Sequence, residues 1–221
     1  PAFGVKYGGV PVGNYGDTSM FSFHATKLFT TFEGGALTSS DKYFMERVRL
    51  LRNFGIAGET EIISMGINGK INEIQCVFGL SILERVQEEI ARRKKLYGLY
   101  LDRLGKMPGI YFQKIDPEAE VNYQYIPIRI DEKEFGLNRD ELAQVLRMEN
   151  IIARKYYFPL CSEYPIYKAL PFSDRGRLPV ADRVSRSVVC LPLFGELGLD
   201  NVDKVITVIE IAHKSRARIK K

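Results

Sequence analysis

From Asn72 to about Leu104 the apolar residues Ile74, Phe78, Ile82, Val86 and Ile90 recur every four positions, and Leu96, Tyr100 and Leu104 continue on a similar face. A stripe of that period lies on one side only if the backbone is helical, so the segment is predicted to be one long helix, or two with a bend. Met107-Pro108-Gly109 then breaks the pattern. The texture changes there, and the boundary between a first domain (1–107) and a second (108–221) is placed at that break.

The flanks carry mixed signals. Five glycines among residues 1 to 17, interleaved with Tyr7, Val10, Val12 and Tyr15, read as loop and short strand. Thr18 to His24 and Gly35 to Ser39 read as strands, the first of them buried, with a loop between them. Asp41 caps a predicted helix to Arg52, with Phe44, Val48 and Leu51 on one face, and Asn53-Phe54-Gly55 ends it. Beyond the break, Val121 to Ile130 and Ile151 to Phe158 are predicted strands, Asn138 to Glu149 a capped helix and Pro179 to Ser187 a short one. Residues 160 to 178 are loop-like. Asp200 is expected to cap a last helix whose buried stripe is Val202, Val205, Ile206 and Ile209. Strands and helices followed by a smaller mixed part indicate α/β with an α+β terminal domain.

Composition narrows the function classes. With 221 residues, 45% hydrophobic, the chain is long enough for a real core. No apolar run reaches the roughly 18 residues of a membrane span, which together with three widely spaced cysteines points to a cytoplasmic protein with reduced thiols. No pair among Cys76, Cys161 and Cys190 has metal-ligand spacing, so no metal is expected. The net charge of +5 resides largely in Arg92-Arg93-Lys94-Lys95 and in the tail Lys214, Arg216, Arg218, Lys220 and Lys221. It reads as a solvated helix face and a frayed basic end, and no nucleic-acid module accompanies it. A small phosphate-bearing substrate would also welcome that field.

One lysine stands out. Lys27 lies on the loop between the two strands near residues 22 and 35, with Ser22, His24 and the pair Gly34-Gly35 around it. Schiff-base chemistry needs an amine that is neutral at working pH, which burial or a neighbouring positive charge provides. His24, one of two histidines, suits either a satisfied core position or an active site. Glu33 suits a turn or a place behind the lysine, and the glycine pair suits close backbone packing.

Gly13-x-x-Gly16-Asp17, Phe21-Ser22-Phe23-His24-Ala25-Thr26-Lys27 and Glu33-Gly34-Gly35-Ala36 together resemble the cofactor-lysine segment of the DegT/DnrJ/EryC1/StrS sugar aminotransferases. Arg49 to Gly55, Gly66 to Gln75 and Cys190-Leu191-Pro192-Leu193-Phe194 resemble further family stretches in the family's order, so the resemblance covers essentially the whole chain. It implies the second half of a fold-type I aminotransferase large domain followed by the small C-terminal domain. It also implies pyridoxal 5'-phosphate, carried covalently by Lys27, which then serves as base and acid in the transfer. Ser22 would hold the cofactor phosphate, with His24 in the same site. Asn68 would reach the phosphate of a partner in a homodimer that shares its active sites, and Asn72 is a second candidate there, although turn and helix-cap chemistry suits both asparagines.

The implied substrate is a nucleotide-linked 4-keto-6-deoxy sugar, aminated at carbon 4 with glutamate as donor, because family members with His-Ala-Thr-Lys look more like carbon 4 enzymes. Arg154 and Tyr157, with Tyr156, are candidates to face it, though such a strand also suits a sheet surface. Family members run to nearly twice this length, and their aromatic ring partner, phosphate threonine and ring-nitrogen acid precede the part matched here. The chain is therefore expected to be a C-terminal piece that exposes apolar surface and is poorly active alone. Two rival readings remain. A dehydrating relative would replace the lysine with histidine, and a regulatory protein on the same fold would lose Lys27 or Ser22; neither residue is lost.

Overall fold

The computed structural model describes every residue except Phe172, Asp174 and Lys221, so two positions of the 160–178 loop and the last residue of the basic tail lie outside the described residues. Two compact units are present, Pro1–Ala91 with Asp116–Gln124, and Arg92–Ile115 with Tyr125–Lys221. The first contains β1 (Lys6–Tyr7), β2 (Val10–Pro11), β3 (Ser19–Ser22), β4 (Gly35–Thr38), α1 (Lys42–Arg52), β5 (Ile56–Gly58), β6 (Glu61–Ile62) and α2 (Glu73–Leu83). Next come α3 (Val86–Leu104), β7 (Ile110–Phe112) of the second unit and β8 (Ala119–Glu120) of the first. The second unit continues with β9 (Ile126–Ile130), α4 (Glu132–Phe135), α5 (Arg139–Met148), α6 (Pro179–Ser187), β10 (Val188–Leu191), α7 (Leu199–Lys214) and α8 (Arg216–Ile219).

In the first unit β1 lies between β2 and β8, and β3–β4 and β5–β6 form separate antiparallel pairs. The Asp41 carboxylate accepts from the Phe44 N–H at 3.0 Å and starts α1, and Gly55, at φ 78°, turns the chain out of it. Asn72 and Gln75 form a reciprocal capping box at the start of α2. The predicted long helix is two, with the break between Leu83 and Val86. Its apolar stripe is not buried throughout. Val86 is buried against Leu28 and Phe29, with Ile82 and Ile90 packed alongside, whereas Ile74, Val77 and Leu80 on α2 are exposed, as are Met65 and Ile67.

The second unit is an antiparallel sheet, β10-β9-β7, with Ile126, Ile128 and Ile130 of β9 buried on one face. Leu142 and Leu146 of α5 and Val202, Ile206 and Ile209 of α7 are fully buried with them. An Asn138–Glu141 capping box starts α5, as its sequence predicts.

Several expectations need correction. Only Ile126–Ile130 of the 121–130 segment is strand; Tyr123 adopts φ 53°, which an extended ladder excludes, and Asn122 and Gln124 bond elsewhere. The 151–158 segment forms a single bridge, Arg154 to Cys190, because Ile151 closes the end of α5 by donating to Leu146 and the chain turns at Tyr156 and Tyr157. Helix α7 starts after Gly198 at φ 75° without a side-chain cap, and Asp203 instead pairs with Arg103. Strand β3 is shorter than expected and only half-buried, with Met20 outward. Arg93 is buried, not part of a solvated face. The basic tail is helical over Arg216–Ile219 rather than frayed, and Lys220 pairs with Glu132 at 2.8 Å. Strands β7 and β10 and helix α4 carry too short a signal to be predicted.

Ile206→Ala removes buried volume where no solvent can enter, and a loss of about 2–5 kcal/mol is expected. Met148→Ala, at a position 79% exposed, should change stability by no more than about 0.5 kcal/mol. Urea denaturation of both variants checks the contrast.

Candidate active site

Strands β3 and β4 pair in the register Ser19↔Thr38, Met20↔Leu37, Phe21↔Ala36 and Ser22↔Gly35. Between them the chain makes a wide loop rather than a tight hairpin. The Phe23 N–H donates to the Gly34 carbonyl at 2.8 Å, and the Thr31 N–H donates back to Phe23 at 3.0 Å, so both ends of the loop are closed by backbone bonds. Within it the Lys27 N–H donates to the His24 carbonyl at 2.9 Å, which folds residues 24–27 into a turn.

The residues after the turn anchor it. Leu28 and Phe29 are buried, and Phe29 stacks on Phe3 with ring centres 4.4 Å apart and meets Phe23 edge-on at 4.7 Å. Burying two such side chains contributes on the order of 1.5–3 kcal/mol each. Helix α2 closes on the loop from another side. Phe78 stacks on Phe32 at 4.3 Å, the Gln75 amide donates to the Glu33 carbonyl at 2.9 Å, and a side chain at Gly79 would lie 2.8 Å from Thr31 Cγ2. Gly34 and Gly35 are required by proximity as the sequence suggests. A Cβ at Gly34 would meet Thr31 Oγ1 at 2.6 Å, and one at Gly35 would meet the Phe21 carbonyl oxygen at 2.7 Å.

Lys27 is half-buried beside this core. Its amine has no hydrogen bond or ion pair among the described residues. Ser22 Oγ accepts from the His24 N–H at 3.4 Å, which leaves its own proton to donate to an anion. His24 Nδ1 lies 2.9 Å from the Thr26 hydroxyl and 3.2 Å from the Thr26 N–H, and Nε2 lies 3.5 Å from Glu33 Oε1. Ser22, His24, Lys27 and Glu33 are thus gathered on one loop. An amine without a partner among the described residues and, five positions before it, a hydroxyl that can donate are group types that suit a ligand that is both an aldehyde and an anion.

Asn68 lies on a different segment. It bridges to Asn53 and accepts from Lys70 Nζ at 2.9 Å, and no hydrogen bond joins it to the Lys27 loop among the described residues. Asn72 acts as the α2 cap, its oxygen taken by the Gln75 N–H at 2.9 Å. Arg154 and Tyr157 belong to the second unit. The Arg154 guanidinium lies 5.7 Å from the Tyr156 ring centre, the Tyr156 and Tyr157 rings stack at 4.7 Å, and the Tyr157 and Tyr125 hydroxyls are 3.4 Å apart.

Two buried polar residues next to the loop escape sequence reasoning. Gln124 Oε1 accepts from the Leu28 N–H at 2.6 Å while its Nε2 donates to the Thr26 carbonyl at 3.0 Å. Asn122 Nδ2 donates to the carbonyls of Pro1 at 2.6 Å and Phe3 at 2.9 Å. A signal was available. Asn122, Gln124, Ile126, Ile128 and Ile130 occupy alternate, buried positions of one stretch, and two amides on an otherwise apolar face call for specific partners.

A profile of the DegT/DnrJ/EryC1/StrS aminotransferase family matches residues 1–210. The chain belongs to this family. It is 36% identical to the Escherichia coli dTDP-4-amino-4,6-dideoxy-D-glucose transaminase over 94% of this chain and 56% of that protein. It is 28% identical to the Campylobacter jejuni UDP-4-amino-4,6-dideoxy-N-acetyl-beta-L-altrosamine transaminase, over 96% of this chain and 58% of the relative. Among solved structures, DesI in the presence of its TDP-sugar product superposes with a TM-score of 0.89 at 32% identity, over 99% of this chain and 56% of that one. The PMP-form of the sugar aminotransferase Spr1654 from Streptococcus pneumoniae gives a TM-score of 0.88 at 25% identity, over 98% of this chain and 56% of its own. The chain therefore spans little more than half the length of the curated relatives it matches. Its α/β architecture is that of the corresponding part of these aminotransferases.

Gly35→Ala forces a methyl group against the Phe21 carbonyl and is expected to destabilise the β3–β4 pair by about 1–3 kcal/mol. Faster exchange of the Phe23 amide, which bonds to Gly34, is the local readout.

Proposed function

We propose that this chain carries the cofactor lysine of a pyridoxal phosphate-dependent aminotransferase that places an amino group on a nucleotide-linked 4-keto-6-deoxy sugar. The observation that carries the reading is Lys27 itself, half-buried and without an anionic partner among the described residues, on a loop held by buried neighbours. The donor set fits the cofactor. The Lys27 amine provides the covalent attachment, and the Ser22 hydroxyl provides a donor for the phosphate. Once bound, pyridoxal phosphate supplies an electron sink for the carbon that gains or loses the proton.

The chain's own residues do the rest. Lys27 Nζ holds the cofactor and, when released, moves the proton at the sugar carbon that receives nitrogen. His24, its Nε2 set 3.5 Å from Glu33 Oε1, stiffens the wall beside the lysine. Asn68 of a second copy reaches the phosphate in a homodimer, and Arg154 and Tyr157 face the sugar nucleotide. The transaminase relatives named for 4-amino-4,6-dideoxy sugars support carbon 4 as the site of amination, and glutamate is the proposed donor.

Pyridoxal phosphate should turn the protein yellow, and borohydride should fix the label on Lys27, as read by peptide mapping. Label on Lys70 or another lysine contradicts the assignment. Lys27→Ala should lower amino transfer to nucleotide keto sugars by at least about 1,000-fold, and transfer at the normal rate would rule the lysine out.

A further inference from the structure

The two peptide groups that flank Lys27 are held by one side chain. The carboxamide of Gln124 accepts from the Leu28 N–H at 2.6 Å and donates to the Thr26 carbonyl at 3.0 Å. A carboxamide has one acceptor and one donor side, and turning it over would set oxygen against oxygen and N–H against N–H, so only one orientation satisfies both bonds. Gln124 is itself held. Its backbone N–H donates to Asn122 Oδ1 at 3.0 Å, and Asn122 Nδ2 binds the carbonyls of Pro1 and Phe3. Both amides are more than nine-tenths buried, at 7% and 5% exposure. Water therefore offers little competition for these bonds.

We propose that Gln124 is the positioning residue of Lys27. With the peptides on both sides pinned, φ and ψ of Lys27 are confined and its Cα–Cβ bond has one direction. The amine then swings only through its own side-chain torsions, and it meets an aldehyde on a phosphate-bearing ligand from one side. The bonds run from a segment 96 and 98 residues distant in sequence, so a local loop preference cannot substitute for them. The proposal rests on the reading of Lys27 as the cofactor lysine.

Three variants test it. Gln124→Met keeps the side-chain length and removes both partners; Gln124→Glu keeps an acceptor for Leu28 and loses the donor for Thr26. Ile206→Ala weakens the second unit without touching the loop, and so reports what destabilisation alone does. The first readout is exchange of the Leu28 amide in the protein without cofactor, expected to accelerate about tenfold or more in Gln124→Met and to stay slow in Gln124→Glu. The second is the rate at which pyridoxal phosphate and borohydride label Lys27, expected to fall about tenfold or more in both Gln124 variants and to remain unchanged in Ile206→Ala. The pH midpoint of the yellow colour should shift in the Gln124 variants alone.

Labelling of Lys27 at the wild-type rate in Gln124→Met, with the same pH midpoint, would overturn the proposal. So would equal losses in Ile206→Ala. If Gln124→Met does not fold, the labelling rate of Gln124→Glu decides in its place, and an unprotected Leu28 amide in the wild-type protein would overturn the clamp without any variant. Failure of the wild-type protein to label at Lys27 would instead remove the cofactor reading, while Leu28 exchange still decides whether Gln124 holds the loop.

Discussion

Leu28 and Phe29 enter the apolar cluster of the first unit directly after Lys27, and that burial is what the geometry of the loop depends on. Among the described residues no carboxylate pairs with the lysine, so its backbone is fixed by its neighbours. Apolar burial supplies the strength but little direction, since a side chain in a core can slide and still be buried. Direction comes from hydrogen bonds: the turn bond to His24, the ladder bonds at Phe23, and the long-range capture by Gln124. The glycines at 34 and 35 let the returning strand approach closely enough for the ladder to close.

The polar groups on the loop are arranged with unequal satisfaction. His24 is engaged on both ring nitrogens, by Thr26 on one side and Glu33 on the other. Among the described residues Ser22 accepts but does not donate, and the Lys27 amine has no partner. An amine without a partner among the described residues and a hydroxyl that can donate, five positions apart in the chain, are the kinds of group expected where an anionic ligand completes the network. The exposed apolar side chains of α2 and of Met65 and Ile67 are a separate property of the same unit, comparable to surfaces that other proteins cover by association.

Most of what was legible in the sequence was local. The Asp41, Asn72 and Asn138 caps and the stripe of α7 all follow from short-range rules, and the structure contains them. The placement of Lys27 between two strands was equally local. Tertiary bonding defeated the rest. Residues 121–125 have strand-like alternation, yet Asn122 and Gln124 spend their amides on Pro1, Phe3, Thr26 and Leu28, and the ladder begins only at Ile126. Arg154 to Phe158 looks like a strand because aromatic residues favour sheets, but among the described residues it pairs through one bridge, Arg154 to Cys190. Arg93 looks solvated within a run of four basic residues and is buried because the helix turns that position inward.

The central claim is that Lys27 is the attachment point of a phosphate-bearing aldehyde, held there by its own loop. A crystal structure of the protein soaked with pyridoxal phosphate tests it most directly. Density continuous from Lys27 Nζ to the cofactor, with the phosphate against the Ser22 hydroxyl and the Gln124 bonds to Thr26 and Leu28 intact, is the predicted result. Cofactor joined to a different lysine, or a Lys27 side chain turned into solvent beside a bound cofactor, would contradict it.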